Sequence, residues 1–321
     1  MTTTTAAASG SRIATVTPRT AVLVLGWIVV VLAAVASGVG LFAGGGVGTS
    51  WVTSVRGQPT ELYGVGLYRF DSVLVGVGNR GTDAVTLVLE VPALALALLS
   101  YRRRSLRGTV ALIGVLGWML YYYASMVLFT AFNRLFPVYL VIFAASLFAL
   151  PLAIGSIDRE QFARTFPSRP SPAALAAYLG SLAAVLTAAW APAMLAAAVT
   201  GELPARLGAY STEVTWALDL GVVVPAVAAT ALLLHRRATL GPLAATAMLA
   251  LNVALGLALV GQGAAQLLAD VPMSTGEKVG AMASFAVMTL IAGTLLARLM
   301  RRLPPSDPPP IPEEEPWRGR P

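Results

Sequence analysis

Residues 21–43 read AVLVLGWIVVVLAAVASGVGLFA, a run without one charged side chain. At about 1.5 Å per residue, an α-helix of this length covers the ~30 Å hydrocarbon core of a bilayer. The run outlasts the roughly 7 to 15 apolar residues of a secretory signal, so it reads as a retained membrane helix. Runs of the same kind recur at 83–100, 108–130, 135–156, 173–199, 215–234, 238–260 and 279–300, each bounded by charge, Pro or Gly. The pattern predicts an all-α membrane protein, a polytopic bundle of about eight transmembrane helices over residues 21–300.

Composition agrees with that reading. The 321 residues are 57% hydrophobic and only 12% charged, with a mean hydropathy of +0.75, outside the range of soluble domains. The net charge of +7 sits in short clusters at the ends of apolar runs rather than along an aromatic-interleaved surface, so no nucleic-acid partner is expected. The chain has no cysteine, which excludes disulfides, thiolate metal sites and cysteine nucleophiles. His235, the single histidine, stands beside Arg236 at a helix end. No paired-histidine site, nucleophile elbow, phosphate loop or Asp-rich metal motif occurs. The sequence therefore predicts no catalytic residue, no metal, no cofactor and no enzyme.

Orientation follows from counting cations on alternate sides of the runs. Sixteen of the 22 Lys and Arg fall on one side, in clusters such as Arg102–Arg104 with Arg107, Arg236 with Arg237, and Arg301 with Arg302. The other side holds Arg56, Arg69, Arg80, Arg134, Arg206 and Lys278. By the positive-inside rule the first side is cytoplasmic, giving a multi-pass protein of the cytoplasmic membrane with both termini inside. Residues 1–20 and the Pro-rich 301–321 are expected to be disordered cytoplasmic tails. Residues 44–82 form the long outer loop, in which Tyr63, Leu67, Phe70 and Leu74 recur at helical spacing and suggest a short interfacial helix.

The second and sixth runs echo each other. Thr86 and Glu90 match Thr215 and Asp219, and Asp83 and Thr212 each stand seven residues before the acid. Positions 0, −4 and −7 share a helix face. Each stripe precedes a basic turn, which suggests two parallel four-helix repeats, 21–157 and 173–300, or a chance match between low-complexity segments.

An ionisable group inside a span is costly, about 2.5 to 3.5 kcal/mol near a helix centre, and normally faces the bundle interior. With the second span starting near residue 83, Glu90 lies roughly 10 Å deep and Asp219 somewhat shallower. Tyr121, Tyr122 and Asn252 come to similar depth. The candidate ligand or ion cavity thus comprises Glu90, Asp219, Tyr121, Tyr122, Asn252, Thr86 and Thr215. In the alternative reading the same acids are hydrogen-bonded glue, and replacing Glu90 by Leu leaves partner hydroxyls unpaired.

The stretch Leu120–Leu150, LYYYASMVLFTAFNRLFPVYLVIFAASLFAL, carries Tyr121, Tyr123 and Ala124, then Asn133, Leu135, Phe136 and Tyr139. It resembles a group of uncharacterised multi-pass bacterial membrane proteins with a Y-x-Y-A and N-x-L-F-x-x-Y pattern. The resemblance implies the polytopic fold and carries no activity. The expectation for function is a small transporter or ligand-binding membrane protein whose outer cavity, with Glu90 as its leading acid, takes a proton, cation or small amphiphile. The alternative is a noncatalytic sensor or assembly partner in which the polar residues only pack helices. The partners implied are membrane lipid and that small ligand or ion.

Overall fold

Backbone amides in hydrocarbon have no water to bond, so a chain this apolar must pair them within helices. The computed structural model describes residues 15–303 apart from 55, 205–206, 270 and 272–273. Eight helices long and apolar enough to cross a membrane are present: α1 Thr20–Phe42, α2 Val73–Arg102, α3 Leu106–Leu128, α4 Phe136–Ile154, α6 Pro172–Thr200, α7 Val214–His235, α8 Gly241–Leu268 and α9, whose apolar part is Met282–Arg302. The short α5, Arg159–Thr165, follows α4 and is capped by Asp158, whose side chain accepts from the Gln161 N–H. The protein is a multi-pass, all-α membrane bundle.

The largest departure from the predicted boundaries is at α2, which begins at Val73 rather than near residue 83. Ser72 caps it, accepting from the Val75 N–H. Its first turns, VLVGVGNRGT, look too polar and too rich in glycine to span. The glycines are nevertheless needed for packing, since a Cβ at Gly81 would lie 2.6 Å from the Gly261 carbonyl oxygen of α8. Arg80 turns back to the outside of the bundle and donates to the Tyr63 hydroxyl and the Leu41 carbonyl, at 2.8 and 2.9 Å.

The connection before α2 is correspondingly shorter, and it holds no helix through Tyr63, Leu67 and Phe70. Instead β1 Ser50–Thr53 and β2 Pro59–Leu62 pair antiparallel. Gly64 shows why, with φ of +70° and so little space that an added Cβ would collide with the Gly48 carbonyl oxygen. The bundle thus has a hairpin face at one end and an arginine face at the other.

The tail boundaries also move. Residues 15–19 are tied to the α4–α5 turn, with Thr17 N–H donating to Ser156 O at 2.9 Å and Asp158 N–H to Thr15 O at 3.1 Å. At the other end Leu303 is buried, and its carbonyl accepts from Arg107 at 2.6 Å. Residues 1–14 and 304–321, the bulk of both expected tails, lie outside the described residues.

Two proline-adjacent π-turns interrupt α2 and α7. Val91 N–H bonds back to Thr86 O and Val224 N–H to Asp219 O, each five residues away. Pro92 and Pro225 follow immediately. A proline lacks the N–H that would reach four residues back and crowds that carbonyl, and a widened turn relieves both. Each helix is followed, two residues past its end, by a left-handed arginine, Arg104 with φ of 59° and Arg237 with φ of 55°. Thr86, Pro92, Arg104 and Gly108 therefore correspond at constant spacing to Asp219, Pro225, Arg237 and Gly241. This register pairs Asp219 with Thr86 rather than with Glu90, one helical turn from the match that the sequence pattern suggests.

Helix α3 is the most enclosed span. It packs against α2 and α4 and crosses α8, which itself packs against α2, α7 and α9. At the crossing a Cβ on Gly114 would collide with the Ala250 side chain, so small residues set the approach of the two central helices.

Candidate functional site

A cavity of about 290 Å³ opens near the hairpin face, with residues of α2, α3, α6, α7, α8 and α9 on its wall. Two acids lie on its wall, Glu213 and Asp219, and Asp219 is the buried one, 7% exposed. Tyr121 of α3 donates its hydroxyl to Oδ1 at 2.8 Å, and Trp190 of α6 donates its indole N–H to Oδ2 at 2.8 Å. Three helices thus fix one carboxylate, and each oxygen keeps a free lone pair. Trp216 stands with its ring centroid 6.4 Å from that of Trp190, and Phe129 and Phe285 complete an aromatic wall. Asn79, Gln262 and Gln266 supply amides; Gln266 donates to Leu74 O at 3.0 Å and Asn79 to Thr130 Oγ1 at 3.4 Å.

Of the predicted residues, Asp219, Tyr121 and Thr215 meet at this cavity. Glu90, Thr86, Tyr122 and Asn252 do not line it. The cause is depth: Glu90 stands seventeen residues into α2, about 25 Å from its hairpin-face end, whereas Asp219 is five residues into α7, about 8 Å. Tyr122 instead donates to Asp83 Oδ1 at 3.2 Å, and Asn252 Oδ1 accepts from Tyr178 at 3.0 Å. Glu90 is 3% exposed. Its Oε1 and the Thr86 hydroxyl have no hydrogen-bond partner among the described residues.

A buried carboxylate oxygen without a partner costs stability, and apolar replacement of similar shape removes the cost. Glu90→Met is therefore expected to raise stability by about 1 to 3 kcal/mol, read from thermal melts in detergent. The direction is opposite to the glue expectation for Glu90→Leu, and a Met variant that melts earlier than wild type would restore the glue role.

Sequence reasoning passed over two sites. At the first, Asp83 accepts from Tyr68 at 2.6 Å on Oδ2 and from Tyr122 on Oδ1, fully buried against Gly40. Its position in the polar stripe before Glu90 was the available signal. The second is a clamp on the hairpin face. Asp71, 1% exposed, accepts on Oδ1 from the Ala131 N–H at 2.8 Å and from the Tyr210 hydroxyl at 3.0 Å. Tyr210 in turn accepts from the Ser72 N–H at 3.1 Å and stacks on Phe129 at 4.2 Å. Arg56 holds the Tyr210 and Ser211 carbonyls at 2.8 and 2.9 Å.

Burial pushes the Asp71 carboxyl up to about 6, against the hydrogen bonds from Ala131 and Tyr210 that favour its charged form. The Tyr210 phenol is raised as well, by burial and then by the charge of Asp71. The clamp joins the segments that run directly into cavity-lining Leu74, Phe129 and Glu213.

Among the described residues no group of three His, Asp or Glu is placed to hold a metal ion. In comparisons with protein families, with curated proteins and with solved structures, nothing matches this chain.

Proposed function

We propose that the protein is a small transporter or ligand-binding protein of the cytoplasmic membrane, both termini inside, whose outward-lying cavity receives a small ligand at Asp219. The observation that carries this reading is the buried carboxylate on the wall of a cavity, held from two sides by Tyr121 and Trp190. Intramembrane acids are expensive and usually mark ligand or ion sites. The excess of arginine at one end supports the orientation. The paired π-turns, prolines and left-handed arginines of α2 and α7 support two parallel four-helix repeats.

The chain has no cysteine, so single cysteines can be introduced without a prior deletion. Ser125→Cys, on the cavity wall, should react with a membrane-impermeant thiosulfonate added to the outside of intact cells, while Ser146→Cys, fully buried, should react only after denaturation. Reaction of Ser125→Cys from the outside alone favours a binding protein, and reaction from either side a transporter. An unreactive Ser125→Cys that labels once denatured would overturn the outward cavity. The noncatalytic reading, a sensor or assembly partner, draws on the Asp83 and Asn252 ties, where polar groups serve packing.

A further inference from the structure

The cavity wall contradicts the charge of the chain around it. The protein carries a net +7, yet among the described residues no Arg, Lys or His lines the cavity, while Asp219 and Glu213 do. An anionic ligand would find carboxylates and no cation there. A hard metal ion would need several oxygen ligands in one place, and no such group of acids is present among the described residues. A proton alone has no use for a chamber of about 290 Å³. A purely apolar guest would leave Asp219 desolvated with nothing gained.

The remaining wall is aromatic. Trp190 and Tyr121 are held against the carboxylate by their own hydrogen bonds, at 2.8 Å each. Trp216 lies beside Trp190, and Phe129 and Phe285 are on the same wall. Aromatic faces attract a positive charge through their quadrupoles, most strongly when water is excluded, and Trp is the best of them. The same rings cover apolar carbon. A carboxylate fixed within an aromatic chamber that holds no cation is complementary to a positive charge attached to a small apolar body.

We infer that the ligand of this cavity is a compact organic ammonium ion, its nitrogen at Asp219 and its hydrocarbon part against Trp190 and Trp216. The inference rests on the binding reading above and specifies it. The volume sets an upper size on the order of ten water-sized groups, which excludes a diacyl lipid.

Three probes of one shape and different charge test it: benzylammonium, benzyl alcohol and benzoate, titrated calorimetrically against the full chain in lipid nanodiscs, with empty nanodiscs subtracted. Benzylammonium is expected to bind at least tenfold more tightly than either analogue. Asp219→Asn keeps an oxygen that can accept from Tyr121, gives up the acceptor for the Trp190 N–H and removes the charge, so it should cost the cation at least tenfold and the alcohol clearly less. Trp216→Leu should weaken benzylammonium more than benzyl alcohol, because a leucine covers carbon but offers no π face. Equal or tighter binding of the alcohol or of benzoate, or an Asp219→Asn protein that still prefers the cation, overturns the ammonium assignment while leaving a ligand cavity in place. Binding of none of the three removes the ligand cavity together with the assignment.

Discussion

Asp83→Leu is expected to destabilise the protein by about 2 to 6 kcal/mol. The carboxylate accepts from Tyr68 at 2.6 Å and from Tyr122 at 3.2 Å, and both tyrosines are at most 5% exposed. Leucine would strand two buried hydroxyl donors at about 1 to 3 kcal/mol each. Asp83→Asn retains one acceptor and should cost about half as much. Thermal melts of the two variants in one detergent give the order wild type, Asn, Leu. A Leu variant as stable as wild type would falsify the tie. The same unit includes Gly40, since any side chain there would collide with Asp83 Oδ2.

The second large effect is the share of the pH dependence of stability that Asp71 carries, which a single substitution removes. Asp71 titrates at about 6 in the folded protein against an ordinary value of 3.8. Between those two values the folded chain holds more protons than the unfolded chain, so stability falls as pH rises. The contribution is complete below about pH 4 and lost by about pH 6 to 7. A separation of about two on the pH scale corresponds to about 3 kcal/mol.

Ala131 N–H and the Tyr210 hydroxyl both donate to Oδ1, and the amide oxygen of asparagine can accept both. Asp71→Asn should therefore gain up to about 3 kcal/mol at pH 7.5 and nothing at pH 4. The readout is the difference in melting between wild type and variant at the two pH values, because other carboxyls cancel in it. An equal difference at both would show that the Asp71 charge carries no cost.

The eight spans were legible because twenty-residue apolar runs leave few alternatives to a membrane helix, and most ends fell within a few residues of their caps. The start of α2 was not. Gly76, Gly78, Gly81 and Arg80 lower the hydropathy of its first turns, and only the packing of Gly76 against Tyr63, that of Gly78 and Gly81 against α8, and the Arg80 contacts explain why they are helical. That one boundary moved Glu90 from the hairpin-face third of the bundle to its middle, and with it the expectation of which acid faces the cavity. Asp219 was placed well because α7 begins where the apolar run begins. Trp190 carried no signal of its own, since nothing in the sequence says that α6 lies beside α7. The glycine-rich loop defeated the helical spacing of Tyr63, Leu67 and Phe70 because its backbone needs positive φ, as at Gly64 and Gly66.

The clamp on the hairpin face has a consequence for amide exchange with solvent water. The N–H groups of Ser72 and Ala131 stand outside any helix or strand, where backbone protons ordinarily exchange freely. Both instead point at side-chain oxygens, of Tyr210 and Asp71. Their protons can leave only while those side chains are displaced, so their exchange rates clock how often the three loops part. Two amides thus act as a built-in timer for the parting of the loops beside the cavity, readable in the unmodified protein without any ligand in hand.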